Sequence, residues 1–175
     1  MEPVNAADLE WSETDADRMR FRRKKLAIAA GGEDLGCSLY ELDPGDGAWP
    51  YHYHYANEEA LFVLAGGGLL RVDDGEHRLA AGDYAAFPTG AEGGHRVVND
   101  GDEILRYLVF STMCDVDVMR YPDGEAVGAM GGGGPGATER DFGAWFEEAD
   151  AQPYVEVTFG DGETDGGTDG ETDED

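Results

Sequence analysis

The 175-residue sequence predicts an all-β domain, a sandwich or small barrel, flanked by polar segments. Three observations carry this expectation. Apolar or alternating runs recur about every 8 to 12 residues from Leu26 to Tyr121, the spacing of strands joined by hairpins. The turns between them (DPGDG, AGGG, DDGE, AAGD, PTG, NDGD) each offer a Gly or Asn able to take φ > 0, or an Asp that bonds its own backbone. Glycine, at 27 residues, is about twice its average usage, and no convincing amphipathic helix interrupts the stretch.

In chain order, residues 1–24 form a polar N-terminal arm, acidic at first and then basic. Arg18, Arg20, Arg22, Arg23, Lys24 and Lys25 supply half of the chain's 12 bases. They are read as an edge strand or arm pairing with acidic surface, in preference to an anion or partner site. Residues 25–124 form the β domain, with strands expected at LAIAA, CSLYEL, EALFVLA, GLLRVDD, EHRLA, DYAAF, HRVVN, ILRYLVF and DVDVMRY. Residues 125–159 form an extension: a glycine-rich loop at 130–139, a short helix at 141–150 and a last strand at 154–159. Phe142, Trp145 and Phe146, at i, i+3 and i+4, mark one face of that helix, placed as a cap on the barrel. Residues 160–175 are an acidic repeat that buries too little apolar surface to offset its ordering entropy, and a disordered tail is expected.

Charge excludes whole classes of function. Acids outnumber bases 39 to 12, giving −27, so a nucleic-acid partner, which needs Lys and Arg on phosphates, is excluded. Only Lys24 and Lys25 are lysines, and this acid-rich, Lys-poor composition resembles that of extreme halophiles. The acidic amino terminus is unlike a signal peptide and no run approaches the roughly 18 apolar residues of a spanning helix. A cytoplasmic protein with no membrane partner is expected. Cys37 and Cys114 lie in no paired motif and are read as free thiols.

Three of the four histidines carry the chemistry. In PYHYHYANEEALFVLA, strand periodicity of two puts His52 and His54 on one face and Tyr51, Tyr53 and Tyr55 on the other. Asn57 turns the chain, and Glu59 opens the next apolar strand. His95 opens the strand HRVVN, whereas His77, among turn residues, is read as a surface side chain. Three imidazoles and a carboxylate suit a first-row divalent ion: Fe, Mn, Ni, Cu or Zn. Counting in twos from Glu59 and His95 places Leu61, Val63, Val97 and Asn99 inside. Tyr40, Trp49, Arg71, Arg106 and Tyr107 are candidates to orient a carboxylate or sugar, with packing or surface roles preferred.

These motifs resemble the cupins, metal-binding jelly-roll barrel proteins. HYH, four residues, Glu59, six residues and Gly66 match their first motif, with Gly47 one residue too close to His52. Gly82, Pro88, Gly90, His95 and Asn99 match the second, with four residues in place of two between Gly90 and His95. The resemblance spans about 100 residues, Lys24 to Gly124, and implies His52, His54, Glu59 and His95 as metal ligands. Glu58 is the competitor for Glu59, but it would put seven residues before Gly66. It further implies a metalloenzyme of isomerase, decarboxylase or dioxygenase type acting on a small oxygen-rich metabolite. A non-catalytic small-molecule-binding or sensor protein with a structural metal is the alternative. Small cupins resemble dimers joined at sheet edges, so a homodimer is expected.

Overall fold

The computed structural model describes residues 2–16, 19–133 and 141–151. Two strands open the chain, β1 (Ser12–Ala16) and β2 (Met19–Lys25), followed by a single helical turn, α1 (Leu26–Ala29). Then come β3 (Leu35–Leu42), β4 (Tyr53–His54), β5 (Glu59–Ala65), β6 (Gly67–Val72), β7 (Gly75–Ala80) and β8 (Tyr84–Phe87). The last are β9 (His95–Val98), β10 (Leu105–Thr112), β11 (Asp117–Tyr121), β12 (Ala126–Gly131) and β13 (Phe142–Glu147).

All pairings are antiparallel, in sheets ordered β1-β2-β3-β10-β5-β8, β13-β12-β11-β4 and β7-β6-β9. The all-β expectation therefore holds, but the sheets do not close into one hydrogen-bonded barrel. Isolated bridges, Gly47 to Val98 and His52 to His95, tie the segment before β4 to β9. The basic stretch 19–25 is the second strand of the large sheet, with Phe21 in the core. Arg22 pairs with Glu41 at 2.6 Å, and Lys24 lies over the Trp11 ring while donating to the Ala6 carbonyl. Arg18 lies outside the described residues.

Alternation sorts the core as the pattern requires. In β5, Leu61 and Val63 are 1% and 0% exposed while Phe62 and Leu64 face outward. They join Leu42, Val97, Leu105 and Tyr107, and burying each such aliphatic side chain contributes about 1.5–3 kcal/mol. Asn99 is buried too, its amide clasping the Leu42 and Glu103 carbonyls at 2.8 Å each.

Two expected elements are corrected. LAIAA is not a strand: its first four residues form α1, closed by Ala30 N–H donating to Leu26 O and Gly32 N–H to Ala27 O. Alanine's high helix propensity and the Gly31–Gly32 exit favour this turn over an extension of β2. The expected helix at 141–150 is instead β13, paired along β12, followed by a 3₁₀ turn at Glu148–Asp150. Trp145 lies opposite Gly128, where a Cβ would come within 2.7 Å of its Nε1, so a strand lets the indole cover a residue with no side chain. Phe142, Trp145 and Phe146 are exposed rather than forming a buried cap. The expected strand 154–159, the tail 160–175 and most of the glycine-rich loop lie outside the described residues. Among the described residues no helix is long and apolar enough to cross a membrane. Cys37 and Cys114 are free thiols.

Candidate metal centre

His52, His54 and Glu59 come together from different elements, and His95 adjoins this group through Glu59. His52 and His95 exchange backbone hydrogen bonds of 3.2 and 2.9 Å, which sets their rings side by side with centroids 4.8 Å apart. His54 lies in β4, held by β11 and by the Gly90 N–H on its carbonyl. Glu59 begins β5 between Phe87 and Ser111. The residues by which the second motif departs from the cupin spacing are taken up by a 3₁₀ turn, Ala91–Gly93, and His95 still faces inward.

Glu59 Oε2 lies 3.3 Å from His54 Nε2 and 3.4 Å from His95 Nε2. Among the described residues, His52, His54 and Glu59 form a group whose ligand atoms all lie within 4.8 Å of one another. Ligands about 2.1 Å from one ion are separated by about 3–4 Å, which is the spacing of Glu59 from His54 and from His95. Glu58 is exposed and its backbone N–H is taken by Thr112 Oγ1.

The other nitrogen of each ring is committed. His52 Nδ1 donates to Pro50 O at 2.8 Å and His95 Nδ1 to Gly93 O at 2.9 Å. His54 Nδ1 lies 2.5 Å from Asp117 Oδ2, a short, charge-assisted contact. These bonds leave Nε2 of His52 and His95 with the lone pair that a metal requires. Asp117 and Asn57 are site residues that the motifs do not mark. Asp117 is almost fully buried and also accepts from Asn57 Nδ2 at 2.8 Å and Ala56 N at 3.0 Å. A signal was available: Asp117 opens an alternating strand with inward parity, where an acid needs a partner.

The electrostatics follow. Burial, aided by His95, pushes the His52 imidazole down to about 3, and burial lowers His95 as well. Burial opposes charge on His54 too, but Asp117 and Glu59 outweigh it and raise the ring to about 9. Glu59, despite burial, is held down to about 2 by His54 and the other imidazoles, and His54 and Asn57 hold Asp117 low. At neutral pH the cluster is one imidazolium between two carboxylates, with two neutral imidazoles beside it.

In front of His52, Glu59 and His95 lies a hollow of about 50 Å³ lined by Trp49, Leu61, Phe87, Val97 and Tyr107. Phe87 stacks on His95 at 3.8 Å, and Tyr121 stacks on His52 at 5.6 Å. Trp49, Tyr40 and Tyr107 thus border the cluster, whereas Arg71 and Arg106 are engaged by Asp123 and Glu41. His77 is a surface residue beside Asp74.

Residues 38–111 match the cupin domain family. Those residues form a cupin domain. Over 99 residues it is 31% identical to quercetin 2,3-dioxygenase of Bacillus subtilis, matching 54% of this chain but only 29% of that enzyme. Two solved structures are alike over most of their length. A candidate sugar phosphate isomerase from Acidithiobacillus ferrooxidans is 27% identical with TM-score 0.75, covering 86% of this chain and 94% of its own. A cupin-superfamily sugar phosphate isomerase from Silicibacter pomeroyi is 25% identical with TM-score 0.74, covering 86% and 95%.

Proposed function

We propose that this cupin is a metal-dependent enzyme acting on a small, oxygen-rich metabolite, with His52, His54, Glu59 and His95 holding one divalent ion: iron, manganese, nickel, copper or zinc. The observation that carries this reading is the anchoring of all three imidazoles through Nδ1, with Nε2 of His54 and His95 brought to 3.3 and 3.4 Å from Glu59 Oε2. Bound there, the ion supplies a Lewis acid or redox centre to oxygen atoms of a ligand. The chain's own part is to orient and to exclude water. The aliphatic and aromatic lining dries the hollow, and Tyr107, whose phenol burial raises well above its ordinary range, stays protonated as a neutral hydrogen-bond donor. Of the isomerase, decarboxylase and dioxygenase types, isomerase chemistry is favoured by the two sugar phosphate isomerases alike over 86% of the chain.

Elemental analysis of untagged wild type and His54→Ala tests the reading. About one transition ion per chain is expected in the wild type and almost none in the variant. NMR of aldose and ketose phosphates should then show interconversion that a chelator stops and the restored ion recovers. No metal above background, with none taken up on titration, refutes it.

A further inference from the structure

One hollow reverses the charge of the chain. Bounded by β2, α1, β3 and β10, it has a volume of about 90 Å³ and is lined by Arg23, Lys25, Ser38, Tyr40 and Ser111 among others. Its one acid is Glu59, which, with Tyr40 and Val109, it shares with the hollow before His52 and His95.

Arg23 is held unlike its neighbours. Arg20, Arg22, Arg71, Arg78, Arg106 and Arg120 each lie on a carboxylate. Among the described residues Arg23 lies on none. Its Nη1 donates to the Tyr40 hydroxyl at 3.2 Å, and its guanidinium lies 5.6 Å from the Trp49 ring centroid. In a chain with 39 acids, a cation kept on neutral partners retains its field, and its remaining N–H donors stay available. Trp49 Nε1 also donates to the Tyr40 hydroxyl at 3.2 Å, which occupies both lone pairs and leaves the phenol proton to be given away. Cation and donor thus meet beside Glu59.

We propose that this hollow is an oxyanion subsite, in which Arg23 and Lys25 hold the carboxylate or phosphate of a ligand whose other oxygens reach the metal. The proposal rests on the metalloenzyme reading above. It also explains how an anion is accepted next to Glu59: a divalent ion on that carboxylate turns local repulsion into attraction, so anion binding should strengthen with metal loading.

The test begins with Mn²⁺ binding by EPR to wild type, Arg23→Gln and Arg78→Gln. Arg78→Gln removes the same charge from an exposed pair with Asp100. Equal stoichiometry shows that the variants fold and that the metal reading stands; a wild type that takes up neither Mn²⁺ nor, on titration, Fe²⁺, Ni²⁺, Cu²⁺ or Zn²⁺ overturns that reading alone. Calorimetric titration with inorganic phosphate and with malonate then tests the subsite, on Mn²⁺-loaded protein or, if none binds, on the protein as isolated. One anion is expected to bind, at least tenfold more weakly to Arg23→Gln and less than twofold more weakly to Arg78→Gln. The tighter of the two identifies phosphate or carboxylate as the group recognised. Equal weakening in both variants, or no binding of either anion to the wild type, overturns the subsite. Lys25→Gln supplies the same comparison should Arg23→Gln not fold.

Discussion

Replacing Asp117 by asparagine tests how the metal centre is built, because the change keeps shape and removes one acceptor. Three donors converge on this carboxylate: His54 Nδ1 at 2.5 Å, Asn57 Nδ2 at 2.8 Å and the Ala56 N–H at 3.0 Å. An asparagine side chain has one acceptor oxygen, so its NH₂ must face one of these donors. Two effects on metal affinity follow, of opposite sign. Losing the carboxylate behind a ligating imidazole costs about 10–100-fold, or about 1.4–2.7 kcal/mol. Against this, the wild-type His54 proton, with its pKa near 9, must leave when metal binds; at pH 7 that displacement costs about two decades. The Asp117→Asn change weakens the hold on that proton and recovers part of this loss. Chelator competition with Mn²⁺ at pH 7, 8 and 9 separates the terms. Wild-type affinity should rise about tenfold per pH unit, that of the variant less steeply, and the gap should reach its full 10–100-fold only at pH 9. No gap at pH 9, or one unchanged from pH 7 to 9, refutes the assigned role of Asp117.

Three further outcomes are expected. Gly66 has φ +74°, and a Cβ there would lie 2.3 Å from the Ile104 carbonyl oxygen, so Gly66→Ala should cost about 2–5 kcal/mol, read as a lowered urea midpoint. With net charge −27, self-repulsion should be relieved by screening, giving a higher melting temperature in 2 M KCl than in 0.1 M; an equal or lower value counts against it. For the metal-free protein, the His54 contribution is complete below its ordinary pKa near 6.5 and is lost as pH rises through about 9. The lowered pKa values of His52 and His95 act in the opposite direction, costing stability as pH falls below 6.5. Melting temperature without metal should therefore peak between about pH 6 and 7.5, and a rise from pH 7 to 9 would contradict the imidazolium at His54.

How much of this was legible in the sequence depends on the range of the interactions involved. The β-strands were, because Leu61 and Val63 inside and Phe62 and Leu64 outside follow from a period of two along one strand. The candidate ligands His52, His54, Glu59 and His95 were picked out by their match to the cupin motifs, and the structure groups the first three. Two misreadings concern short apolar runs: Leu26–Ala29 has no alternation to arbitrate, and the helical spacing of Phe142, Trp145 and Phe146 yields to a strand in which Trp145 lies on the face opposite the two phenylalanines, where its indole covers Gly128. Asp117 and Arg23 were hidden for another reason. Asp117 meets His54 across 63 residues of chain, and Arg23 meets Tyr40 across 17, so neither role has a local pattern.

The place of the cluster in the architecture bears on what metal removal will show. His54 belongs to the four-stranded sheet, Glu59 to the six-stranded sheet and His95 to the three-stranded sheet, and hydrogen bonding does not close these sheets into a ring. An ion held by the proposed ligands would join all three. Chelation should then lower the melting temperature even of an enzyme, since a ligand present at 100 times its dissociation constant stabilises the native state by about 2.7 kcal/mol. A fall in melting temperature therefore does not mark the metal as merely structural. Exchange of the ion does separate the roles. If the ion only staples the sheets, metals of similar affinity should restore stability and ligand binding alike; if it is the reaction centre, they should restore stability equally and turnover unequally. Equal turnover with every ion that restores the fold would remove the metal from the chemistry.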